Sequence, residues 1–246
     1  MTGTVYLVGA GPGAVDLLTL RAARLLAEAD VVLHDALVGG DVLALAPQAK
    51  LYNVGKRGGR PSVDQRFICR LLVRAGMRNR VVVRLKGGDP SLFGRAAEEI
   101  DACRASGIPV SVVPGVSAGF AAAASLSASL TLRGVARSVT FVTPTVAKNG
   151  VESAAWADAA AAAETAVVYM GASYAERVRA DLVARGVPAS RPAVFIENVS
   201  TPDERVIRGV LSELPELAAQ LGDGPALLII GEAMAEACAL AAAVAA

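Results

Sequence analysis

The sequence predicts an α/β fold made of two α/β halves, and three observations predict it. Short apolar runs that read as buried strands alternate with stretches of helical periodicity. Glycine-rich loops follow strands directly at two places, GAGPG at 9–13 and KGGDP at 86–90. After Arg133 the pattern starts again with five further strand-like runs, which divides the chain into 1–134 and 135–246.

Taken in order, residues 4–8 form an apolar strand, and 17–27 carry leucines at helical spacing. A second strand, 30–33, ends at His34-Asp35, and a third, 51–54, runs into the basic loop GKRGGR at 55–60. Arg66, Arg70 and Arg74 recur at i, i+4 on one helix face, the pattern of a solvated face. The run 81–85 is a strand, 95–100 is helix-compatible, and 110–113 is the fifth strand, ending in PGVSA at 114–118. In the second half, strands are expected at 139–142, 166–169, 193–196, 206–210 and 226–230, and helices at 154–163, 175–185 and 215–221. The tail 235–246 is a helix former with little chemistry.

The loop after 81–85 is the expected small-molecule site. Paired glycines after a parallel strand let a ligand approach the backbone, and open α/β sheets bind ligands at the carboxyl ends of their strands. GGDP alone is equally compatible with an ordinary βα turn; the second glycine loop at 9–13 favours a site. Gly9-x-Gly11-x-x-Ala14, with an acid about twenty residues later, also reads as a dinucleotide fingerprint. Pro12 opposes that reading, since it removes an N–H from the loop that would cradle a pyrophosphate. A loop short of donors suits a neutral or cationic adenosine ligand better.

Composition excludes several classes. The 246 residues are 54% apolar and 19% charged, with a formal charge of +1, so nothing global favours nucleic acid or a membrane. Cys69, Cys103 and Cys238 are odd in number and form no CxxC pair, which fits a reducing cytoplasm and opposes a disulfide framework. His34 is the only histidine, leaving a zinc cluster or a Ser-His-Asp triad without ligands. No signal-peptide pattern follows Met1. Residues 105–132 carry no charge, but prolines, glycines and serines interrupt them, so they read as buried chain at a site or domain junction rather than a membrane span. Residues 56–95 hold eleven basic and two acidic side chains, a local preference for a polyanion.

On these motifs the chain resembles a known family. VGAGPG at 8–13, DLLTL at 16–20, HDALV at 34–38, GKR at 55–57, RLKGGDP at 84–90, FGR at 93–95 with EE at 98–99, PGVSA at 114–118, VTFVT at 139–143, YMG at 169–171 and EN at 197–198 are similar to the uroporphyrinogen-III C-methyltransferases of the tetrapyrrole methylase family. The resemblance implies a homodimer of two-domain α/β subunits holding S-adenosylmethionine (SAM) in a cleft between the halves. It also implies methylation of two ring carbons of uroporphyrinogen III, a small-molecule tetrapyrrole, to give precorrin-2.

Carried over by residue, the cofactor contacts fall on Pro12, Gly87, Gly88, Asp89, Leu92, Ser117, Ala118, Met170 and Val199. The catalytic positions fall on Asp35, Lys56, Arg95, Glu98 and Arg133. Methyl transfer from a sulfonium to an electron-rich carbon needs no enzyme nucleophile, so positioning supplies much of the rate. A base must then take a proton, for which Asp35 and Glu98 are the candidates, each expected in a dry cleft that raises a carboxylate toward neutrality. Strand-end and helix-start acids satisfied by backbone amides are the plainer alternative for both. Arg95 and Arg133 would grip substrate carboxylates in bidentate pairs.

The chain departs from the family at Ala14, Ala96-Ala97, Ser127-Ala128-Ser129, Leu132, Pro144-Thr145 and Val199, where the family usually has Asp, Gly-Gly, Gly-Ile-Pro, His, Gly-His and Gly. Most of these changes lie within 125–145, a segment that in the family borders the tetrapyrrole site. The other expectations to be weighed are a related enzyme with another acceptor, an NAD-dependent dehydrogenase, and a non-catalytic SAM- or tetrapyrrole-binding module.

Overall fold

The computed structural model describes residues 3–55, 64–145 and 153–244. Contacts divide the chain into two compact units, Met1–Ala118 and Gly119–Ala246. The break falls inside the uncharged stretch 105–132, sixteen residues before the division after 134 expected from the sequence.

In the first unit, β1 (Thr4–Gly9), β2 (Val31–His34), β3 (Lys50–Asn53), β4 (Val81–Lys86) and β5 (Val110–Val113) form one sheet in the order β3-β2-β4-β1-β5. All its pairings are parallel. Helices cover both faces, which is why the central strands read as unbroken apolar runs. Val8, Val32, Val83 and Leu85 pack toward α1 (Leu20–Glu28), with Val42 of α2 (Gly40–Leu43) in the same core. Val5, Leu7, Leu33 and Val82 pack on the other face with Ile68 and Leu72 of α3 (Gln65–Gly76) and Cys103 of α4 (Ala96–Ala105).

Helix α1 begins at Leu20 rather than at 17, because the Thr19 hydroxyl accepts from the Ala22 N–H at 3.2 Å and caps it there. Asp64 caps α3 in the same way, accepting from the Arg66 N–H at 3.0 Å. Register aligns Gly9 with Lys86, Val8 with Val113 and His34 with Leu85, so the loops after β1, β2, β4 and β5 leave one edge of the sheet.

In the second unit, β6 (Val139–Val142), β7 (Thr165–Tyr169), β8 (Pro192–Glu197), β9 (Arg205–Val210) and β10 (Ala226–Gly231) are ordered β6-β7-β10-β8-β9. β10 is antiparallel to both neighbours, so β7 and β8 run the same way and end at the same edge. One face packs against α6 (Ala155–Ala162), α7 (Ala175–Val183) and α8 (Leu214–Ala218) through Ala160, Val178, Leu182, Leu214 and Leu217. Helix α9 (Ala235–Val244) ends the described chain. On the face bearing Phe141, Val167 and Tyr169 lies the chain of α5 (Ala118–Ser125) from Gly119 onward. A Cβ on Gly119 would come within 3.0–3.1 Å of Phe141, Tyr169 and Val167, so the helix sits at a distance only glycine allows.

Among the described residues no helix is long and apolar enough to cross a membrane, and no group of His, Cys, Asp and Glu could hold a metal ion.

Candidate functional site

Three loops meet at the carboxyl edge of the parallel sheet. Ala10 N–H donates to the Lys86 carbonyl at 2.7 Å, and Gly88 N–H donates to the Gly11 carbonyl at 2.7 Å, so the GAGPG and GGDP loops are zipped together by backbone. The third loop presses on both: a Cβ on Gly9 would lie 2.6 Å from Gly115 Cα, and one on Gly115 would lie 2.3 Å from the Gly88 carbonyl oxygen. Asp89 fastens the assembly, accepting from the Gly115 N–H at 3.0 Å and the Ser91 N–H at 2.7 Å. Its side chain therefore braces the loops.

What the platform leaves open is above Gly87 and Gly88. A Cβ on Gly87 would meet only the Leu37 side chain at 3.9 Å, and one on Gly88 only Ala118 and Ser117 backbone at 3.9–4.0 Å. Gly88 also has φ +65°, a conformation that excludes most side chains at this point. This cradle of exposed backbone, with Pro12 following Gly11 and Ser117 buried beneath, fits an uncharged or cationic adenosine group. It does not fit a pyrophosphate. The amides of Ala10 and Gly11 are spent on the Lys86 and Gly88 carbonyls, and α1 starts only at Leu20, too far along to aim its N-terminus at a phosphate. β4 also stands between β1 and β2, unlike the dinucleotide order in which they are neighbours. The dehydrogenase expectation fails on these grounds.

Of the remaining cofactor positions, Leu92 lies in the same loop, its N–H donating to the Asp89 carbonyl at 3.3 Å. Met170 and Val199 belong to the second unit, where they follow β7 and β8 at one edge of that sheet. Met170, Asn198 and Ser200 all have positive φ, at 55°, 52° and 60°. Such backbone persists where surrounding contacts over-determine it. Here Glu204 supplies one, accepting from the Ser200 N–H at 2.6 Å and from the Ser125 hydroxyl.

The catalytic candidates are placed differently from expectation. Glu98 is not an acid in a dry pocket: it is forked with Arg95 at 2.7 Å through both oxygens, and the two side chains are about half exposed. Arg95 opens α4 at φ +56°. Asp35 is not isolated either, since Arg84 Nη2 donates to its Oδ1 at 2.5 Å. Arg133 lies in an exposed turn closed by Leu132 N–H donating to the Ala136 carbonyl at 2.8 Å. Lys56 lies outside the described residues; Gly55 before it packs so closely on Ala36 that a Cβ would overlap the Ala36 nitrogen.

Sequence reasoning missed the cluster beneath this edge. Arg84, Lys86 and Glu99 are all buried. Glu99 accepts from Arg84 Nε at 3.0 Å, Lys86 Nζ at 3.1 Å and Gln65 Nε2 at 3.1 Å. Burial pushes the Lys86 ammonium below its ordinary range, with the Arg84 charge adding to the effect and Glu99 and Asp35 opposing it. The available signal was charged residues two apart in an apolar strand: 84 and 86 share one face, and buried charges there require partners.

This fold and platform define an α/β protein that offers backbone, rather than phosphate donors, to a nucleoside ligand. The tetrapyrrole (corrin/porphyrin) methylase family model matches residues 4–215, and the chain belongs to that family. It is 44% identical over 233 residues to a uroporphyrinogen-III C-methyltransferase of Pseudomonas aeruginosa, covering 94% of each. It is 46% identical to a siroheme synthase of Pseudomonas paraeruginosa, of which it spans 50% of the length. Among solved structures, the uroporphyrin-III C-methyltransferase from Thermus thermophilus complexed with S-adenosylhomocysteine (SAH) superposes with a TM-score of 0.83 at 41% identity, covering 95% of this chain and 100% of that one.

Proposed function

We propose that the chain is a SAM-dependent C-methyltransferase that methylates uroporphyrinogen III at two ring carbons to give precorrin-2, the precursor of sirohaem and cobalamin. The observation that carries this reading is the open backbone cradle at Gly87 and Gly88, built on loops of a chain 44% identical to a uroporphyrinogen-III C-methyltransferase along nearly its whole length. SAM is the methyl donor and SAH the product. Its contacts are assigned to Pro12, Gly87, Gly88, Asp89, Leu92, Ser117 and Ala118 in the first unit and to Met170 and Val199 in the second.

Asp35 takes the proton released after methylation. Arg95, Arg133 and Lys56 bind the acceptor's carboxylates, and Glu98 holds Arg95 extended until a substrate carboxylate replaces it. The protein acts as a cytoplasmic homodimer. A second reading, another tetrapyrrole as acceptor, is favoured by the replacements within 125–145, above all Leu132.

Incubation with SAM and uroporphyrinogen III followed by mass analysis decides between them. Gain of two methyl groups is expected. SAM binding without transfer would move the acceptor assignment to the second reading, and tighter binding of NADH than of SAH would overturn both.

A further inference from the structure

Arg84 is fixed on three sides. Nε donates to Glu99 at 3.0 Å, and Nη1 donates to the Leu85 carbonyl at 3.1 Å and the Leu33 carbonyl at 3.4 Å. Glu99 in turn is held by Lys86 and Gln65, so the guanidinium cannot rotate without breaking buried hydrogen bonds. Its remaining arm, Nη2, reaches out to Oδ1 of Asp35. Asp35 is the one member of the chain of contacts that meets solvent, with 31% of its side chain exposed against 3% for Arg84 and none for Glu99. Among the described residues nothing hydrogen-bonds its Oδ2.

We propose that Arg84 is a positioning residue for Asp35: it anchors Oδ1 and turns Oδ2 outward as the atom that receives the proton. The inference rests on the reading of Asp35 as the proton acceptor. After methyl transfer the macrocycle is a cation; a C–H bond breaks, its electron pair neutralises the ring, and the proton forms a new bond to Oδ2. A carboxylate free to turn would present either oxygen, at a varying angle. Buried ion pairs of this kind seldom add net stability over apolar packing, so a structural role alone leaves the outward arm unexplained.

The charged groups facing Asp35 among the described residues are few. Arg84 and Lys86 come from β4 and Glu99 from α4. The neighbouring His34 donates Nδ1–H to the Asp35 carbonyl at 3.0 Å. Of these only Arg84 touches the carboxylate.

The test combines Arg84→Met, Arg84→Lys, Asp35→Asn and the Arg84→Met/Asp35→Asn double variant. Each is assayed by single-turnover methyl transfer from SAM to uroporphyrinogen III, giving the rate at saturating acceptor and the acceptor concentration at half-saturation, with SAH affinity by calorimetry. Asp35→Asn is expected to lose about 10²-fold or more in rate. Arg84→Met should lose rate at saturating acceptor, with half-saturation and SAH affinity kept, because the carboxylate is then free to turn away from the acceptor. The double variant should be no slower than Asp35→Asn. Arg84→Lys keeps the charge but not the fork, so its rate at saturating acceptor should also fall with SAH affinity kept.

If Arg84→Met does not fold, a rate for Arg84→Lys equal to wild type overturns the inference, and a loss with unchanged SAH affinity supports it. Additive losses in the double variant, or a loss in Arg84→Met confined to half-saturation, also overturn it. Asp35→Asn at the wild-type rate would instead overturn the reading of Asp35, and the inference with it.

Discussion

The Asp89 carboxylate bonds across to the Gly115 amide at 3.0 Å, tying the loop after the fourth strand to the loop after the fifth. Its other oxygen holds the Ser91 N–H at 2.7 Å, so both oxygens are occupied within the protein. Asp89→Ala removes two charge-assisted hydrogen bonds, each worth about 1.5 to 3 kcal/mol in typical cases. SAH affinity should fall by at least tenfold because the cradle loosens, and Asp89→Asn should lie between wild type and Ala. Calorimetry with SAH checks this; wild-type affinity in Asp89→Ala would show that the loops hold without the brace.

Gly87 and Gly88 look alike in the sequence and differ in the structure. At Gly88 a side chain meets φ +65°, so any substitution strains the backbone before it reaches a ligand. Gly87 has no positive φ and open space beyond it, with only Leu37 within 4 Å. Gly87→Leu should therefore unfold within about 0.5 kcal/mol of wild type yet bind SAH far more weakly, since the side chain fills the cradle. A loss of stability together with affinity would place the effect in the fold.

Arg95 and Glu98 are half exposed, and such a helical pair contributes about 0.3 to 0.5 kcal/mol. Arg95→Ala and Glu98→Ala should hence leave stability and SAH affinity nearly unchanged while methyl transfer falls sharply. Equal loss of SAH binding would assign the pair to the cofactor.

How much of this was legible follows from what each residue type can signal. Continuous apolar runs announced the central strands because these are buried on two faces, and glycines after β1 and β4 announced loops that must touch backbone to backbone. Strand direction was not legible: β10 is as apolar as its neighbours, yet it is antiparallel to both. Helix α5 escaped because its sequence AGFAAAAS has no polar stripe to mark it. Glu98 drew attention and Glu99 did not, though helix phase turns Glu99 into the core and Glu98 to the surface. One residue along a helix is a rotation of about 100°, and only packing reveals which carboxylate points inward.

Cys103 makes stability depend on alkaline pH. Burial, with smaller contributions from the charges of Cys69 and Glu99, pushes its thiol from 9.0 up to about 11. Below pH 9 both folded and unfolded chains keep the proton, and the stabilising contribution is complete. Between about 9 and 11 the unfolded thiol ionises first, the unfolded state binds fewer protons, and stability falls. The loss attributable to this group is on the order of 2 to 3 kcal/mol by pH 11. Urea unfolding of wild type and Cys103→Ala at pH 8 and pH 11 should show the gap between them narrowing as pH rises; a constant gap would locate the alkaline loss elsewhere.

Leu132 is the replacement with the clearest chemical consequence. Its backbone closes a turn with Ala136, its N–H donating to the Ala136 carbonyl at 2.8 Å and its carbonyl accepting from the Ala136 N–H at 2.7 Å. The side chain is 43% exposed, so it can be exchanged without disturbing the fold. An imidazole beside Arg133 could donate to a substrate carboxylate or carry a proton, whereas leucine offers only apolar contact. If uroporphyrinogen III is the acceptor, wild type turns over measurably and Leu132→His raises the rate or leaves it unchanged. If residues 125–145 are shaped for another tetrapyrrole, wild type binds SAM yet does not methylate uroporphyrinogen III, and Leu132→His alone does not restore transfer. The first outcome is expected, because the loops around Gly9, Gly88 and Gly115 interlock through backbone contacts that tolerate no side chain at Gly9 or Gly115, while the changed turn lies at an exposed position. Single-turnover assays on wild type and Leu132→His separate the two.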